Sequence, residues 1–447
     1  MTGEVPPMDH GFWTEAIQSG PVPEQDRRFD AIVVGGGPGG AAAATRLALM
    51  GRSVLLIEKG VFPRDKVCGD AVGGKSLSHV ADLGIKSQLE MTPHFRVTGI
   101  LFGAPKGHTV RVPLPEEDVQ RLEAGYALPR IQFDWLLFHR ATEVVLQSGG
   151  AVIQQAEVRD VLVDHGRVTG VEVRIGGRRG DLLRYHAPWT IGAGGYLCPV
   201  ARKVVEGIHG QSMHDRAHTC AGWREYWDGV QGCGVEAGDI EIHFVDGVLP
   251  GYFWLFPVAG GRVNVGMGMV VDLLDRQKGR KLRAMQRDVI AEHPVFKRRF
   301  EGASLVEGSG RGWQLPFGSP RRRATDQPRI MHAPGALLIG DAASLVDPFS
   351  GEGIGNALVS AEIAARHVKD DIGGEAYQRE VWTELGPELT NSARMQRMAR
   401  RRWLLNWFVR KAGRKPALQE MMTEMIASKE AQGSLHSPWF IARTLLL

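Results

Sequence analysis

Residues 29–59 read FDAIVVGGGPGGAAAATRLALMGRSVLLIEK, in which an apolar run, a glycine cluster, an alanine-rich segment and a second apolar run follow in order. The run 31–34 is short and lies between Asp30 and the glycines, which is typical of a strand buried in a parallel sheet. The alanine-rich segment predicts a helix over 41–50 that stops at Gly51. The second run predicts another buried strand over 53–57. The stretch therefore predicts a β–α–β unit.

The glycine cluster has the spacing Gly35-x-Gly37-x-x-Gly40, with Pro38 and Gly39 inside it. In this spacing the first glycine permits a tight turn, and the second lets the backbone approach a pyrophosphate. The third lets the helix pack closely on the strand, so the free N–H groups at the helix N-terminus face the phosphate. The cluster predicts a dinucleotide site, although the same spacing also occurs in a bare structural turn.

Glu58 ends the second predicted strand, where a carboxylate can accept hydrogen bonds from ribose hydroxyls. We predict that Glu58, with Lys59 beside it, contacts the adenosine half of the dinucleotide. An acid in this position favours an unphosphorylated ribose, and therefore FAD or NAD rather than NADP.

Length and composition limit the remaining possibilities. The chain has 447 residues, more than one hydrophobic core usually serves, so we expect two domains. Its net charge of +4 is small and does not by itself indicate nucleic acid. The four cysteines form no CxxC pair and no zinc-like spacing, so we expect no metal site and a reducing, cytoplasmic setting. We also expect neither a signal peptide nor a membrane-spanning helix.

Further motifs follow along the chain: Arg130-x-x-Phe-Asp134, Gly192-Ala-Gly-Gly195, and GDAASLVDPFSGEG at 340–353. In this order, behind the glycine cluster, they resemble the FAD-binding fold of the para-hydroxybenzoate hydroxylase type. Two segments resemble the geranylgeranyl reductase family in particular, PRDKVCGD at 63–70 and PGYFWLFP at 250–257. The resemblance covers about residues 29–367.

The resemblance implies an α/β fold, in which a doubly wound FAD-binding domain carries an inserted antiparallel β-sheet substrate domain and a C-terminal helical region. We expect the apolar runs at 31–34, 191 and 337 to share one sheet. The expected boundaries are 29–85, 125–204 and 305–375 for the FAD-binding domain, 86–124 and 205–304 for the substrate domain, and 376–447 for the helical region. The implied activity is FAD-dependent reduction of carbon–carbon double bonds in an isoprenoid chain, geranylgeranyl or polyprenyl, by hydride transfer from reduced flavin.

Several FAD contacts follow from the resemblance. Asp341 would accept a hydrogen bond from a ribityl hydroxyl, where the alternative is a helix N-cap. The loop before the next helix would face the flavin pyrimidine edge, and its N–H groups would stabilise negative charge on the reduced flavin. The cofactor-binding residues that we predict in this loop are Pro348, Gly351, Gly353 and Ile354.

Three other positions bear on the cofactor. Arg130 would hold the FAD phosphates bidentately, where the alternative is a surface arginine. The resemblance places Cys68 and Gly69 beside the isoalloxazine, although Cys68 can equally be a small buried hydrophobe. The family's usual aspartate before the last glycine of Gly192-Ala-Gly-Gly195 is here Gly194, which removes a hydrogen bond to the dinucleotide.

Tyr252, Trp254 and Phe256 alternate along one predicted strand, so their rings lie on one face. They form either ordinary core or, as the resemblance implies, the apolar wall of a tunnel for an isoprenoid lipid substrate. The candidate catalytic residues are Cys68, Gly69, Tyr252 and Trp254. For the proton that completes the reduction, Tyr252 and an ordered water are both candidates.

The segment 394–415 carries nine basic residues and no acid around an apolar, tryptophan-containing centre. It predicts either contact with an anionic membrane surface, at the inner face of the membrane, or packing on the protein itself. No nucleic-acid recognition module accompanies it, so we expect no nucleic-acid partner. The external electron donor is left open between NADPH, NADH and a ferredoxin-like protein.

Two rival functions use the same residues. A flavin monooxygenase or halogenase shares the fold, but PGYFWLFP and KVCGD favour a reductase, and no WxWxIP-type halogenase segment is found. The other rival is a non-catalytic, lipid-binding flavoprotein, which would hold flavin without turning it over.

Overall fold

The computed structural model describes residues 14–120, 125–233, 238–277, 279–321, 328–416 and 418–419. The strands of this part of the chain are β1 (Ala31–Val34), β2 (Val54–Ile57), β3 (Ala71–Gly73), β4 (Phe95–Arg96), β5 (Gly99–Gly103), β6 (Thr109–Pro113), β7 (Gly125–Ala127), β8 (Ala151–Ile153), β9 (Ala156–Asp164), β10 (Arg167–Ile175), β11 (Leu182–His186), β12 (Trp189–Gly192), β13 (Thr219–Asp228), β14 (Asp239–His243), β15 (Tyr252–Pro257), β16 (Arg262–Val270), β17 (Ser304–Leu305), β18 (Arg311–Pro316), β19 (His332–Ala333) and β20 (Ala336–Leu338).

The α-helices are α1 (Pro38–Leu49), α2 (Lys75–Asp82), α3 (Lys86–Met91), α4 (Glu116–Gln120), α5 (Arg130–Gln147), α6 (Pro199–Arg202), α7 (Val271–Asp275), α8 (Leu282–Glu292), α9 (Pro294–Arg299), α10 (Ile354–Lys369), α11 (Gly374–Ala399) and α12 (Arg402–Ala412). Among the described residues, no helix combines the length and the apolar character that crossing a lipid bilayer requires.

The first sheet has the strand order β19–β20–β12–β1–β2–β8 and is parallel except at its edge strand β19. Val33 pairs with Ile191, and Ile191 pairs with Leu337. The prediction that these three apolar runs share one sheet is therefore confirmed. Helices α1, α5 and α10 pack beside one another over this sheet, which explains why β1 and β2 are buried at every position.

Helix α1 begins at Pro38, earlier than the predicted start at Ala41. Gly37 is its N-cap, and Pro38 occupies the first helical turn, where a missing N–H costs nothing. The glycine cluster therefore belongs partly to the helix itself. The helix N-terminus consequently lies directly at the carboxyl end of β1.

The second sheet is the predicted β-meander, in which β9, β10 and β11 pair antiparallel. The third sheet has the order β17–β13–β16–β15–β14–β5–β6, with β18 also pairing with β13. Its pairs are antiparallel except β14–β5, which is parallel. This large sheet is the inserted, mainly antiparallel sheet that the resemblance implies, and its role in substrate binding stays a prediction. Its two faces carry separate apolar clusters, one of them around Trp254 and Phe256.

One predicted boundary differs from the strand pairing. The range 305–375 assigned β18 to the FAD-binding domain, whereas β18 pairs with β13 from Thr219↔Pro316 to Arg224↔Arg311. The physical reason is that β13 has a free edge along this stretch, which β18 completes with main-chain hydrogen bonds. The chain returns to the first sheet only at β19 and β20.

A short antiparallel sheet, β3–β7–β4, follows the segment 63–70 and joins the two larger parts. After β20 the chain forms α10, α11 and α12, so the described part of the C-terminal region is helical as predicted. Residues 417 and 420–447 of the predicted helical region lie outside the described residues. Helix α12 packs through Val409 and Ala412 against Val110 of β6.

Candidate functional site

The glycine turn after β1 brings two backbone segments unusually close together. Gly35 has φ +111°, which only glycine adopts without strain, and a Cβ there would lie 2.5 Å from Ala193 O. A Cβ on Gly40 would lie 1.8 Å from Gly35 O. At Gly37 the nearest atom would be the tip of Arg64, 3.7 Å away, and no side chain caps α1. The first N–H groups of α1 therefore face an open turn that fits a phosphate.

Glu58 lies at the end of β2 with its carboxylate turned toward this glycine turn. Its Oε2 accepts the Gly36 N–H at 2.7 Å, and its Oε1 accepts the Gly60 N–H at 2.8 Å. Arg64 Nε lies 3.4 Å from Oε1. The carboxylate is thus held in place by the backbone, and each oxygen keeps a lone pair for a ribose hydroxyl. The neighbouring Lys59 is held differently from Glu58, since its exposed Nζ forms an ion pair with Glu157 at 2.8 Å.

Asp341 follows β20 inside a short helical turn, Gly340–Ala343, whose N-cap is Ile339. No side-chain cap bond forms there, so the N-cap alternative for Asp341 is not what the structure shows. Its Oδ2 instead lies 3.3 Å from Lys66 Nζ, a residue of the segment 63–70. A Cβ added to Gly353 would lie 3.5 Å from Asp341 Oδ1, so the carboxylate borders the predicted flavin loop.

The predicted flavin loop, defined here as residues 347–355, is shaped by its own acids. Asp347 Oδ1 accepts the N–H groups of Phe349 and Ser350 at 2.9 and 2.7 Å. Glu352 Oε1 accepts the Gly355 N–H at 2.6 Å. Pro348 O accepts a bond from Gln396 of α11, and α10 begins at Ile354 with no side-chain cap. The loop is therefore rigidly held at a helix N-terminus.

Arg130 opens helix α5 and is buried, which excludes the surface-arginine alternative. Its Nε and Nη2 donate to the two oxygens of Asp134 at 2.6 and 2.9 Å, one helical turn away. Arg64 Nη1 approaches the same carboxylate at 3.1 Å. Both arginines hold the pKa of Asp134 below its usual range, although burial opposes this. The structure thus shows a bidentate ion pair between Arg130 and Asp134, and the contact of Arg130 with a phosphate stays a prediction.

Asp70 is the hydrogen-bonding centre of the segment 63–70, and the sequence reasoning did not single it out. It is fully buried at φ +67°, and its Oδ2 accepts the Tyr226 hydroxyl at 2.5 Å. The same oxygen accepts Asn264 Nδ2 at 2.7 Å, while Oδ1 accepts the Arg130 N–H at 3.1 Å. Asn264 Nδ2 also donates to Cys68 O at 2.8 Å. The large sheet therefore fixes the backbone of Cys68 directly.

Burial governs ionisation in this network. It raises the pKa of Asp70, and Arg224 nearby opposes that rise. It raises the pKa of the Tyr226 hydroxyl well above its usual value, with the adjacent Asp70 charge acting in the same sense. It also raises the pKa of the Cys68 thiol, against the opposing charge of Arg130. Cys68 is therefore a neutral thiol at neutral pH rather than an activated thiolate.

The rings of Tyr252, Trp254 and Phe256 line one face of β15, as predicted, with centroids 6.0 and 6.3 Å apart along the strand. Trp254 Nε1 donates to Asn264 Oδ1 at 2.8 Å, which ties the indole to the Asp70 network. A Cβ on Gly69 would lie 2.7 Å from the Phe256 ring, so the Gly69 backbone lies close against that ring. We call these three rings the aromatic stripe.

Tyr252 connects the aromatic stripe to the predicted flavin loop. Its hydroxyl donates to Ser350 O in a short hydrogen bond, and it borders Gly351. The structure thus brings together the candidate residues of both motifs, Cys68 and Gly69 on one side and the aromatic stripe on the other. The glycine turn, Glu58 and Asp341 lie at the carboxyl ends of β1, β2 and β20, along the same edge of the first sheet. That edge is where open α/β sheets bind their ligands.

Known proteins resemble this chain over most of its length. A family model described as "FAD binding domain" matches residues 28–221. A menaquinone reductase of Mycolicibacterium smegmatis is 30% identical over 385 residues, which are 85% of this chain and 84% of that protein. A digeranylgeranylglycerophospholipid reductase of Methanopyrus kandleri is 31% identical over 350 residues, 77% of this chain and 78% of that protein. The chain belongs to the geranylgeranyl reductase family.

Solved structures agree in fold. A geranylgeranyl bacteriochlorophyll reductase-like protein of Thermoplasma acidophilum superposes with a TM-score of 0.71 at 20% identity, over 94% of this chain and 99% of that one. A flavin-dependent brominase superposes with a TM-score of 0.72 at 17% identity, over 94% and 98%. At such identities the likeness concerns the fold alone. The family membership makes the protein an FAD-dependent oxidoreductase, and the glycine turn with Glu58 and Asp341 fits that cofactor.

Other residues that sequence reasoning missed link the segment 63–70 to the large sheet. The Arg224 side chain is fully buried on β13, and its Nη2 donates to both oxygens of Asp65 at 2.8 and 2.7 Å. Its guanidinium also lies 4.3 Å from the centroid of the Tyr226 ring. The available signal was an arginine inside a strand-like, otherwise aromatic run, which requires a buried partner. That partner is 159 residues away in the chain, so local pattern could not name it.

Proposed function

We propose that the protein reduces carbon–carbon double bonds in an isoprenoid chain. The observation that carries this proposal is the close approach of the aromatic stripe to the Gly69 backbone, together with the contact of Tyr252 with the predicted flavin loop. This arrangement supports an apolar wall for the substrate beside the flavin. The names of the relatives, digeranylgeranylglycerophospholipid reductase and menaquinone reductase, support a prenyl-bearing lipid as the substrate class.

FAD, when bound and reduced, supplies the hydride for one alkene carbon. The residues of the chain must hold the alkene and keep water out. An alkene has no charge and no strong hydrogen-bonding group, so shape and apolar contact must orient it. Trp254 and Phe256 are nearly buried and flat, and Trp254 cannot rotate without breaking its bond to Asn264.

The second alkene carbon needs a proton. Tyr252 is the titratable side chain of the aromatic stripe. Like any tyrosine it is protonated at neutral pH, and burial raises its pKa further. Its hydroxyl lies where the stripe meets the predicted flavin loop. We propose that the Tyr252 hydroxyl holds the proton that is delivered to the alkene, and that Tyr252→Phe slows turnover while the enzyme retains FAD.

The direct test uses purified enzyme reduced anaerobically with dithionite. A geranylgeranyl-bearing glycerophospholipid and a menaquinone are offered separately, and the products are analysed by mass spectrometry. A gain of two hydrogens per reduced bond, with matching reoxidation of the flavin, is the expected result. Oxidised enzyme under the same conditions is the control. Failure with both substrates, together with oxygen- and halide-dependent product formation, would favour the monooxygenase or halogenase alternative.

We further propose that α12 and the end of α11 contact an anionic membrane surface. One face of α12 packs on the protein through Val409 and Ala412. On its outer side Trp403 is 65% exposed, and nearby Met398 is 52% exposed. Exposed arginines surround these apolar side chains, among them Arg400, Arg401 and Arg410. An exposed tryptophan within a basic surface suits the interface of an anionic bilayer.

Liposome co-sedimentation tests this surface. Wild-type protein should bind vesicles that contain phosphatidylglycerol better than neutral phosphatidylcholine vesicles, and salt should weaken the binding. The double variant Arg400→Gln/Arg401→Gln should bind less. The matched control is Arg178→Gln/Arg179→Gln, which removes the same charge from the exposed turn between β10 and β11. Equal loss in both variants would show a net-charge effect and not a membrane-binding surface.

A further inference from the structure

A largely buried charge cluster that the proposed mechanism does not use joins the predicted flavin loop to α2 and α11. Lys75 is the first residue of α2, and its Nζ lies 2.6 Å from Asn356 Oδ1 and 2.7 Å from Glu388 Oε2. The same Nζ lies 3.8 Å from Glu352 Oε2. One ammonium group therefore joins three segments that are distant in sequence: α2, the start of α10, and α11.

The acids around Lys75 belong to the predicted flavin loop or support it. Asp347 is buried, and burial raises the pKa of its carboxyl. Glu352 is half-buried, and its covered Oε2 has no hydrogen-bond partner among the described residues. Burial raises its pKa as well. Lys75 opposes the rise for Glu352. Up to three negative charges, those of Asp347, Glu352 and Glu388, thus act on the Lys75 ammonium group.

These charges matter because of where the loop sits. The N-terminus of α10 follows the loop, and its positive end would favour the negative charge that a reduced flavin carries. Uncompensated carboxylates in and around the loop would repel that charge, and charges interact more strongly inside a protein than in water. The ammonium group of Lys75 offsets them.

We propose that Lys75 is a positioning residue that raises the reduction potential of the bound FAD by neutralising acids in the predicted flavin loop and on α11. The inference rests on the FAD site described above and deepens it. It concerns the electrostatics of the site and assigns Lys75 no contact with the substrate.

The test is the reduction potential of FAD bound to the full chain, measured by anaerobic spectroelectrochemical titration. Lys75→Met removes the cation and keeps the length of the side chain. The oxidised-to-reduced equilibrium should shift on the order of tenfold toward oxidised flavin, which is about 30 mV lower for a two-electron couple. Glu388→Gln removes one of the negative charges beside the ammonium group, so the reduction potential of FAD bound to this variant should rise. Lys297→Met, at an exposed lysine of α9, is the matched control and should not shift.

Shifts of opposite sign in the two variants would establish an electrostatic role, because a loosened loop would move both potentials in the same direction. An unchanged potential in Lys75→Met, with normal flavin content, overturns the inference and leaves the proposed function intact. If Lys75→Met loses its flavin, Lys75→Arg becomes the readout. A wild-type potential in Lys75→Arg then supports the role of the charge, and a lowered one overturns it. Wild-type protein without FAD would instead contradict the proposed function.

Discussion

The substitution Gly266→Ala tests whether Trp254 positions the substrate. Gly266 of β16 pairs directly with Trp254 of β15, and the indole lies over its missing side chain. A Cβ there would lie 2.0 Å from Trp254 Cζ2 and 2.4 Å from Cε2. Carbon atoms in contact settle at about 3.5–4.0 Å, so the indole must retreat by about 1.5 Å. That movement also breaks the Trp254–Asn264 hydrogen bond of 2.8 Å.

Gly266→Ala should slow the reoxidation of the flavin by substrate more than it lowers the free energy of unfolding. Overpacking of this kind costs about 1–3 kcal/mol of unfolding free energy. Misplacing reacting groups by about 1 Å costs on the order of a hundredfold in rate. Stopped-flow reoxidation of reduced enzyme by prenyl substrate, in a single turnover, measures the rate per bound FAD. Reoxidation by dioxygen serves as an internal control, because it needs no alkene held against the stripe.

Gly222→Ala is the matched control within the same sheet. A Cβ at Gly222 of β13 would meet its nearest atoms, Met267 O and Trp313 O, only at 4.0 Å. Its rate should therefore stay near that of the wild type. The reasoning is refuted if Gly266→Ala loses thermal stability and flavin together yet keeps its reoxidation rate per bound FAD. The aromatic stripe would then be core and not a wall of the substrate site.

Three further outcomes are expected. Asp341→Ala should weaken FAD binding by about 1.5–3 kcal/mol through loss of a charge-assisted hydrogen bond, measured by titrating apoprotein with FAD, and undiminished affinity would count against the ribityl assignment. Arg224→Met should lower the free energy of unfolding in urea by about 3–5 kcal/mol, because Asp65 loses its buried partner. The control Arg262→Met breaks the more exposed ion pair with Asp228 and should lower that free energy by at most about 1 kcal/mol. Burial raises the pKa of the Cys68 thiol above its usual value of 9.0, so alkylation of Cys68 by iodoacetamide should be slow at pH 7 and accelerate only above pH 9. Peptide mass spectrometry measures the alkylation rate, and a rate independent of pH would contradict this expectation.

Local sequence patterns predict much of this fold without any knowledge of its tertiary contacts. The run 31–34, the glycine cluster and Glu58 are close in sequence, so spacing alone predicts the turn, the helix and the acid at the strand end. Even here the start of α1 was misplaced, because pattern does not show that Gly37 can serve as the N-cap of a helix that begins at Pro38.

The alternation of Tyr252, Trp254 and Phe256 likewise gave the strand and the shared face, because side chains alternate along any strand. The alternation does not indicate which residues the rings face. Only the tertiary structure set Phe256 against the Gly69 backbone and Tyr252 against the predicted flavin loop.

The polar partners were beyond the reach of sequence reasoning for a physical reason. A buried charge or amide must find a partner, but the sequence does not say which residue satisfies it when the partner lies on another element. Asp70 meets Tyr226 and Asn264, Arg224 meets Asp65, and the strand β18 joins β13 rather than the first sheet. The sequence by itself thus determined the dinucleotide-binding unit and the family resemblance, because both depend on residues at fixed spacing. The tertiary structure alone decided how the large sheet holds the Cys68–Gly69 segment against the aromatic stripe, because long-range pairing depends on packing and not on spacing.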